Sequence, residues 1–313
     1  MTRNHFPAYR PLIARPFRQG AIFREVLPCA ALRPYVRCFW GGEAASAASI
    51  VQGEPDWIIP DGCADVIFRV NETRGTVCVG FAGVSDACGA THFSADTADR
   101  FSTFGIRFYA WAVYRFSGEG MSGTLNGYFD ARERFGWLCS ALSERLPGLA
   151  TLRERIALAE RLLLAQLEAS GENSRFDEAV LTLLSSRGSM SIAALAGEVF
   201  FSTRQLERMF REYAGISPKR IAGIIRYQSL WQDALRSGFD VQDAVLKYGF
   251  TDEAHLLHEF KRYHGMGLRQ ARALALADVA KLQDKRSNAV YTGGNPKETG
   301  MMPAASSTKC CKS

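Results

Sequence analysis

The chain has 313 residues, 47% apolar and 22% charged. These values fit a globular protein of about two domains and exclude a collagen-like, rod-like or wholly disordered chain. The formal charge of +6 is uneven: residues 1–24 carry five Arg and no acid, residues 191–272 net +3, residues 281–313 net +4, and the remainder −6. A basic C-terminal half beside an acidic middle is what a nucleic-acid partner favours, although +3 decides nothing alone.

No apolar run approaches the ~18 residues that a bilayer span needs. Arg and Pro interrupt the first twenty residues, so no secretory signal is read there. A cytoplasmic protein with no membrane partner is expected. The eight cysteines (29, 38, 63, 78, 88, 139, 310 and 311) are scattered and lack CxxC spacing. Free thiols are therefore expected, not a disulfide framework or a zinc site.

Residues 25 to about 110 read as mainly strand. Trp57-Ile58-Ile59-Pro60-Asp61-Gly62 is an apolar run ending in a Pro-Asp-Gly turn. Asp65–Val70 and Thr76–Phe81 follow at hairpin spacing, and Phe104–Tyr109 forms a further strand. Short strands at this spacing predict a small sandwich or partly open barrel. From residue 112 the period changes. Between Thr151 and Ala169, Leu152, Ile156, Ala159, Leu163, Leu164 and Leu167 fall on one helical stripe, which packs on its own domain or forms a dimer seam. Gly171-Glu172-Asn173-Ser174 breaks that pattern. The predicted domains are 20–170, regulatory; 175–275, helical; and 281–313, a polar tail expected to be disordered.

Within the helical part, Ile192, Leu195, Ala196 and Val199 share one face. Ser202 is a good N-cap, with Gln205 placed to complete a capping box. In the helix that follows, Leu206, Met209, Phe210 and Tyr213 face inward, which leaves Arg204, Gln205, Glu207, Arg208 and Arg211 outward. A short helix, a tight turn and a second helix with long polar side chains outward is the layout that enters a major groove. A second copy runs from Asp240 to Tyr263, with Gly249 at the turn, Thr251 as cap and Leu256, Phe260 and Tyr263 inward. Between the copies, Ser217-Pro218 opens a long helix reaching about Leu235, roughly 27 Å at ~1.5 Å per residue. Major-groove faces recur every ~34 Å, so a stiff spacer of this order presents two recognition helices to successive grooves.

Residues 175–272 resemble the DNA-binding domain of the AraC/XylS family of bacterial transcription regulators. The resemblance rests on Leu195-Ala196, Ser202 to Phe210, Gly215-Ile216-Ser217-Pro218, the helix containing Arg226, Tyr248-Gly249-Phe250 and Phe260-Lys261-Arg262. Phe200 stands where that family usually has a turn-tolerant residue, Ala244-Val245 where it has a large-then-small pair, and Gly267-Leu268 where it has Ser-Pro. Residues of about 20–165 are similar to a poorly characterised N-terminal domain of some members, through Leu32–Val36, Phe39-Trp40, Ile59–Gly62 and Gly105–Phe108. The resemblance implies an α+β protein. Its N-terminal small β-sandwich or barrel with following helices precedes an all-α domain of two helix-turn-helix units joined by a linker helix.

Arg204 and Arg208 are the best candidates for base readout, since Arg pairs with guanine O6 and N7. Gln205 suits adenine unless capping holds it, and Glu207 suits cytosine unless it pairs with Arg211. In the second unit Glu253, Ala254, Leu257 and His258 would face the bases, so discrimination is expected mainly in the first. Ser202, Thr203, Arg211, Lys219, Thr251, Lys261 and Arg262 are the expected phosphate contacts. Double-stranded operator DNA and RNA polymerase are the implied partners, with a small-molecule effector or a homodimer through the N-terminal domain.

Trp40, Trp57, Phe68, Phe81, Phe104, Phe108 and Trp111 are either core or the lining of an effector pocket. Trp57, Asp61, Asp65 and Arg107 are its candidate contacts. A cupin-like barrel enzyme fused to a helical interaction domain is the alternative. A metal cupin needs several inward His, and this region holds His92 alone. Nucleophile elbow, phosphate loop and dinucleotide fingerprint are missing, so no enzyme and no cofactor is expected. Thiol sensing through Cys29, Cys38, Cys63 or Cys88 is a further alternative. His255, His258 and His264 include an i,i+3 pair on one helix, but no nearby Cys completes a site and His255 is separated from the others by helix phase, so no metal is expected.

Overall fold

The chain alternates along Cys63–Asn71 (β4), where Ala64, Val66, Phe68 and Val70 are buried and Asp65, Ile67 and Arg69 are half-buried. That period of two commits one face to a core. The computed structural model describes residues 9–18, 24–46, 57–90, 99–171 and 173–291. Among them, β4 lies near the centre of an antiparallel sheet built with Arg24–Val26 (β1), Val36–Ser46 (β2), Thr76–Ala82 (β5), Arg100–Tyr109 (β7) and Tyr128–Asp130 (β8). The order is β1-β2-β7-β4-β5-β8, and Trp57–Ile58 (β3) pairs with Gly89–Ala90 (β6) in a separate ribbon. The expected sandwich or barrel is thus one open six-stranded sheet, and its β1 and β2 are strands that the turn spacing does not single out.

The apolar face is covered by helices Arg132–Ser143 (α1) and Leu152–Ala169 (α2). Phe135 of α1 packs 5.1 Å from Phe81 and stacks on Phe108. Phe68, Phe81, Phe104 and Phe108 are fully buried, so these aromatics are core. The α2 stripe, begun by a Thr151–Glu154 capping box, packs on this same domain through Ile156, Ala159 and Leu163. On the opposite face Ile67 pairs with Gly80 and Gly105. A Cβ at either glycine would collide with a ring, Tyr128 over Gly80 and Trp40 over Gly105. Glycine at both sites lets an aromatic lie flat on the backbone.

The rest is helical: Ser174–Ser185 (α3), Ile192–Glu198 (α4), Thr203–Ala214 (α5), Pro218–Ala234 (α6), Val241–Tyr248 (α7), Glu253–His264 (α8) and Leu268–Tyr291 (α9). The linker helix α6 spans 17 residues, about 26 Å at ~1.5 Å each. It is the packed centre of this part, with Ile221, Ile224, Ile225, Tyr227, Leu230 and Trp231 all buried. The last helix, α9, continues past Lys281 to Tyr291. Leu268, Ala271 and Ala275 anchor its early turns and Asp278 binds Arg15, after which Ala, Leu, Lys and Gln propagate a helix readily. Residues 292–313, with Cys310 and Cys311, lie outside the described residues, as does His92.

Sheet and helices share one continuous core. Arg115 donates to Asp177 of α3 at 2.6 Å, Tyr114 meets Tyr213 of α5 at 4.8 Å, and the Met121 amide donates to the Glu212 carbonyl at 2.7 Å. Residues 9–15 cross α6, where Gln228, Trp231 and Gln232 all bond to their backbone.

Candidate nucleic-acid interface

Each helical unit is built by its caps. Ser202 accepts from the Gln205 amide at 3.2 Å, while the Gln205 side-chain oxygen accepts from the Ser202 amide at 2.9 Å. This box fixes where α5 begins and occupies the Gln205 oxygen that adenine readout would need. Leu206 and Phe210 are buried beneath, with Met209 and Tyr213 half-buried. Arg204, Arg208 and Arg211 project outward, one turn apart, and all are exposed. Among the described residues Arg204 and Arg208 take part in no ion pair, whereas Arg211 pairs with Glu207 at 3.4 Å. Glu207 is thus engaged by its i,i+4 neighbour.

In the second unit the cap differs from the sequence reading. Asp252, not Thr251, begins α8 and accepts from the His255 amide at 2.7 Å. Two cap-forming residues stand side by side, and the carboxylate captures the helix start because it is the stronger acceptor. From the left-handed turn residue to the first helical residue the second unit has one residue more, Gly249 to Glu253 against Phe200 to Thr203. Leu256, Phe260 and Tyr263 are buried, fifty positions after Leu206, Phe210 and Tyr213. The same offset sets Ala254 opposite Arg204, His258 opposite Arg208 and Lys261 opposite Arg211. Glu253, Ala254, Leu257 and His258 are exposed, as are Ser202, Thr203, Lys219, Thr251 and Lys261. Arg262 is drawn back, paired with Glu259 at 3.1 Å and lying over the Tyr263 ring. The Gln242 amide donates to Glu253 at 2.7 Å, a contact that sequence reasoning missed.

The candidate effector residues fall into two groups. Arg107 binds Asp65 at 3.0 Å and Asp61 at 3.4 Å, and the Trp40 indole donates to Asp65 at 2.7 Å. Burial opposes the charge on Arg107, but Asp65 and Asp61 more than offset this and hold its pKa well above the ordinary range. Burial raises the pKa of Asp61, against the pull of Arg107. Trp57 serves elsewhere, donating to the His264 carbonyl at the end of α8 at 2.8 Å. Burial pushes the Cys38 thiol up to about 12 and raises Cys63 as well, which disfavours the reactive thiolate at both. Cys29 and Cys88 are half-buried and free. His264 is buried against Tyr227, and among the described residues no His, Cys, Asp and Glu group could hold a metal.

A family model described as a helix-turn-helix domain matches residues 195–273. Residues 195–273 are a helix-turn-helix domain. Its N-terminal residues 24–130 match a domain of unknown function (DUF6597). A helix-turn-helix domain with its second helix exposed is a DNA-binding layout. No curated protein matches it. Among solved structures it is similar to a transcriptional regulator with an AraC-type DNA-binding domain from Chromobacterium violaceum, at 24% identity over 33% of this chain and 92% of that one, with a TM-score of 0.30. It is also similar to ToxT from Vibrio cholerae, at 9% identity over 75% of this chain and 98% of that one, with a TM-score of 0.36. Among the described residues no helix is long and apolar enough to cross a membrane.

Proposed function

We propose that this regulator binds operator DNA sequence-specifically, laying α5 and α8 into successive major-groove segments. The observation that carries this reading is the exposed Arg204 and Arg208 pair, unneutralised on a capped helix, in a unit whose capped helix recurs fifty residues later. Paired hydrogen bonds from these two arginines to guanine supply base readout. Arg211, Lys219 and Lys261, together with the free amides at the helix starts, supply phosphate contacts. Among the described residues, two outward cations free of ion pairs on α5, Arg204 and Arg208, against one on α8, Lys261, favour the first unit as the main reader.

In this reading residues 20–170 are regulatory. The Asp61–Asp65–Arg107 cluster is the candidate effector contact, a second copy of the chain is the alternative input, and RNA polymerase in the cytoplasm is the target. The experiment is selection of bound sites from a random DNA pool, followed by titration of variants on the selected site. Arg208→Ala should cost ~1–3 kcal/mol and relax preference at one base pair, whereas Lys261→Ala should weaken every sequence alike and lower the salt slope by about one. Equal, sequence-independent losses in both variants overturn the assignment.

A further inference from the structure

The second unit looks poor in base-reading chemistry, since Arg204 and Arg208 are matched there by Ala254 and His258. Its distinctive feature is a carboxylate at the first position of the recognition helix, where an anion would meet phosphate repulsion. Glu253 does not cap α8, because Asp252 does so. Nor does it belong to a capping box of the kind formed by Ser202 and Gln205, since the third residue of α8 is His255. Its side chain is instead held by one partner from the preceding helix, the Gln242 amide at 2.7 Å, and both residues are exposed.

We infer that Gln242 is a specificity-setting residue of the second unit, acting through Glu253 to select cytosine; this deepens the DNA-binding reading and rests on it. The carboxamide of Gln242 carries two N–H groups, and Glu253 accepts only one of them on Oε2. The other is available to a phosphate oxygen, which fixes α7 on the backbone without reading sequence. Oε1 of Glu253 is left to accept from an exocyclic amino group. In the major groove cytosine N4 is such a donor, and a carboxylate is its matching acceptor. The chain of contacts runs phosphate, Gln242, Glu253, cytosine. Its donor end offsets the repulsion that an unpartnered carboxylate would meet, and the positive end of α8 adds to this. The first unit has no counterpart: counted from the helix caps, the corresponding positions are Ala193 and Thr203, which cannot form the pair. The two units therefore read by different chemistry, cations in one and an oriented carboxylate in the other.

The test is selection from a random DNA pool with the full chain and with Gln242→Ala, Gln242→Lys and Glu253→Gln, each checked for an unchanged melting temperature. The wild-type chain should prefer cytosine at one base of the second half-site by roughly tenfold, in the range of a single good base contact. Gln242→Ala should lose most of that preference and keep discrimination in the first half-site. Gln242→Lys retains a donor and should keep cytosine. Glu253→Gln should move the preference to adenine, which a carboxamide matches. An unchanged base profile in Gln242→Ala, or a loss spread evenly over all sequences, overturns the inference while leaving DNA binding intact. If the wild-type chain enriches no sequence, the underlying reading fails, and the inference falls with it.

Discussion

Phe200 in the first helix-turn-helix turn has a φ of 54°, matching Gly249 at 67° in the second. The family resemblance predicts a turn-tolerant residue there, and the chain keeps the turn geometry with a side chain that resists it. A left-handed residue with a Cβ is disfavoured by roughly 1–2 kcal/mol. Phe200 recovers little through packing, being 91% exposed. Phe200→Gly relieves the clash and loosens the unfolded chain, effects of opposite sign that leave a net gain of about 0.5–1 kcal/mol. Urea unfolding checks this through the midpoint at constant slope. A lower midpoint for the glycine variant refutes the strain argument.

Gln228 joins three parts of the chain. Its side-chain oxygen accepts from the Leu12 amide at 2.8 Å, and its amino group donates to the Pro60 carbonyl at 2.8 Å and the Leu12 carbonyl at 3.2 Å. It is fully buried. Gln228→Leu keeps the approximate volume but strands an amide and two carbonyls, at about 1–3 kcal/mol for each group that water cannot reach. We expect a loss of roughly 2–4 kcal/mol and faster hydrogen exchange at the Leu12 amide. Unaltered exchange at Leu12 would mean that the clasp does not hold the N-terminal segment.

What the sequence made legible is what local rules decide. Ser202 with Gln205, Ser217-Pro218, and the buried spacing of Leu206 and Phe210 each lie within one or two turns, so caps and the 3.6 period find them. The core strands were readable for the same reason, since Val66, Phe68 and Val70 alternate with half-buried neighbours. Thr251 and Asp252 both suit an N-cap, and the helical period does not choose between neighbours; the stronger acceptor, Asp252, takes the role. Gln242–Glu253 crosses a turn, Arg115–Asp177 spans 62 residues, and Arg15–Asp278 spans 263, so no periodicity announces these pairs. The effector candidates illustrate the same limit. Asp65 and Arg107 meet because β4 and β7 are in register, while Trp57 is taken by the end of α8.

Arg115 and Asp177 form an ion pair with side chains 3% and 5% exposed. The Tyr35 and Tyr114 rings flank the guanidinium at 5.3 and 5.5 Å. In such surroundings each charge is tolerable only because of the other. Asp177→Ala therefore leaves a buried cation and should cost about 3–5 kcal/mol. The double change Arg115→Met with Asp177→Leu should recover a large part of that loss, since an apolar pair removes both desolvation terms. A double-mutant cycle measures the recovery. A double variant as unstable as the sum of its single changes contradicts the pairing.

His264 gives the pH dependence a location. It ends α8 with its side chain buried, Nδ1 lies 2.8 Å from the Tyr227 hydroxyl, and its ring stacks on Phe260 at 4.8 Å and meets Trp231 at 4.7 Å. Burial lowers its pKa from 6.5 to about 4. The unfolded chain therefore takes up the proton first as pH falls. Stability from this residue is complete above about pH 6.5, declines as acid protonates the unfolded state, and is lost by about pH 4, where the folded histidine titrates too. The separation corresponds to roughly 3 kcal/mol at ~1.4 kcal/mol per pH unit. His264→Phe keeps a ring in the aromatic cluster and removes the titration. Unfolding free energies measured at pH 7 and pH 4.5 should fall less in this variant than in the wild-type chain. Exchange of α8 amides should report the same difference, because the protonated ring is expelled from that end of the helix. Equal losses in both proteins between these pH values would assign the acid sensitivity to carboxylates elsewhere.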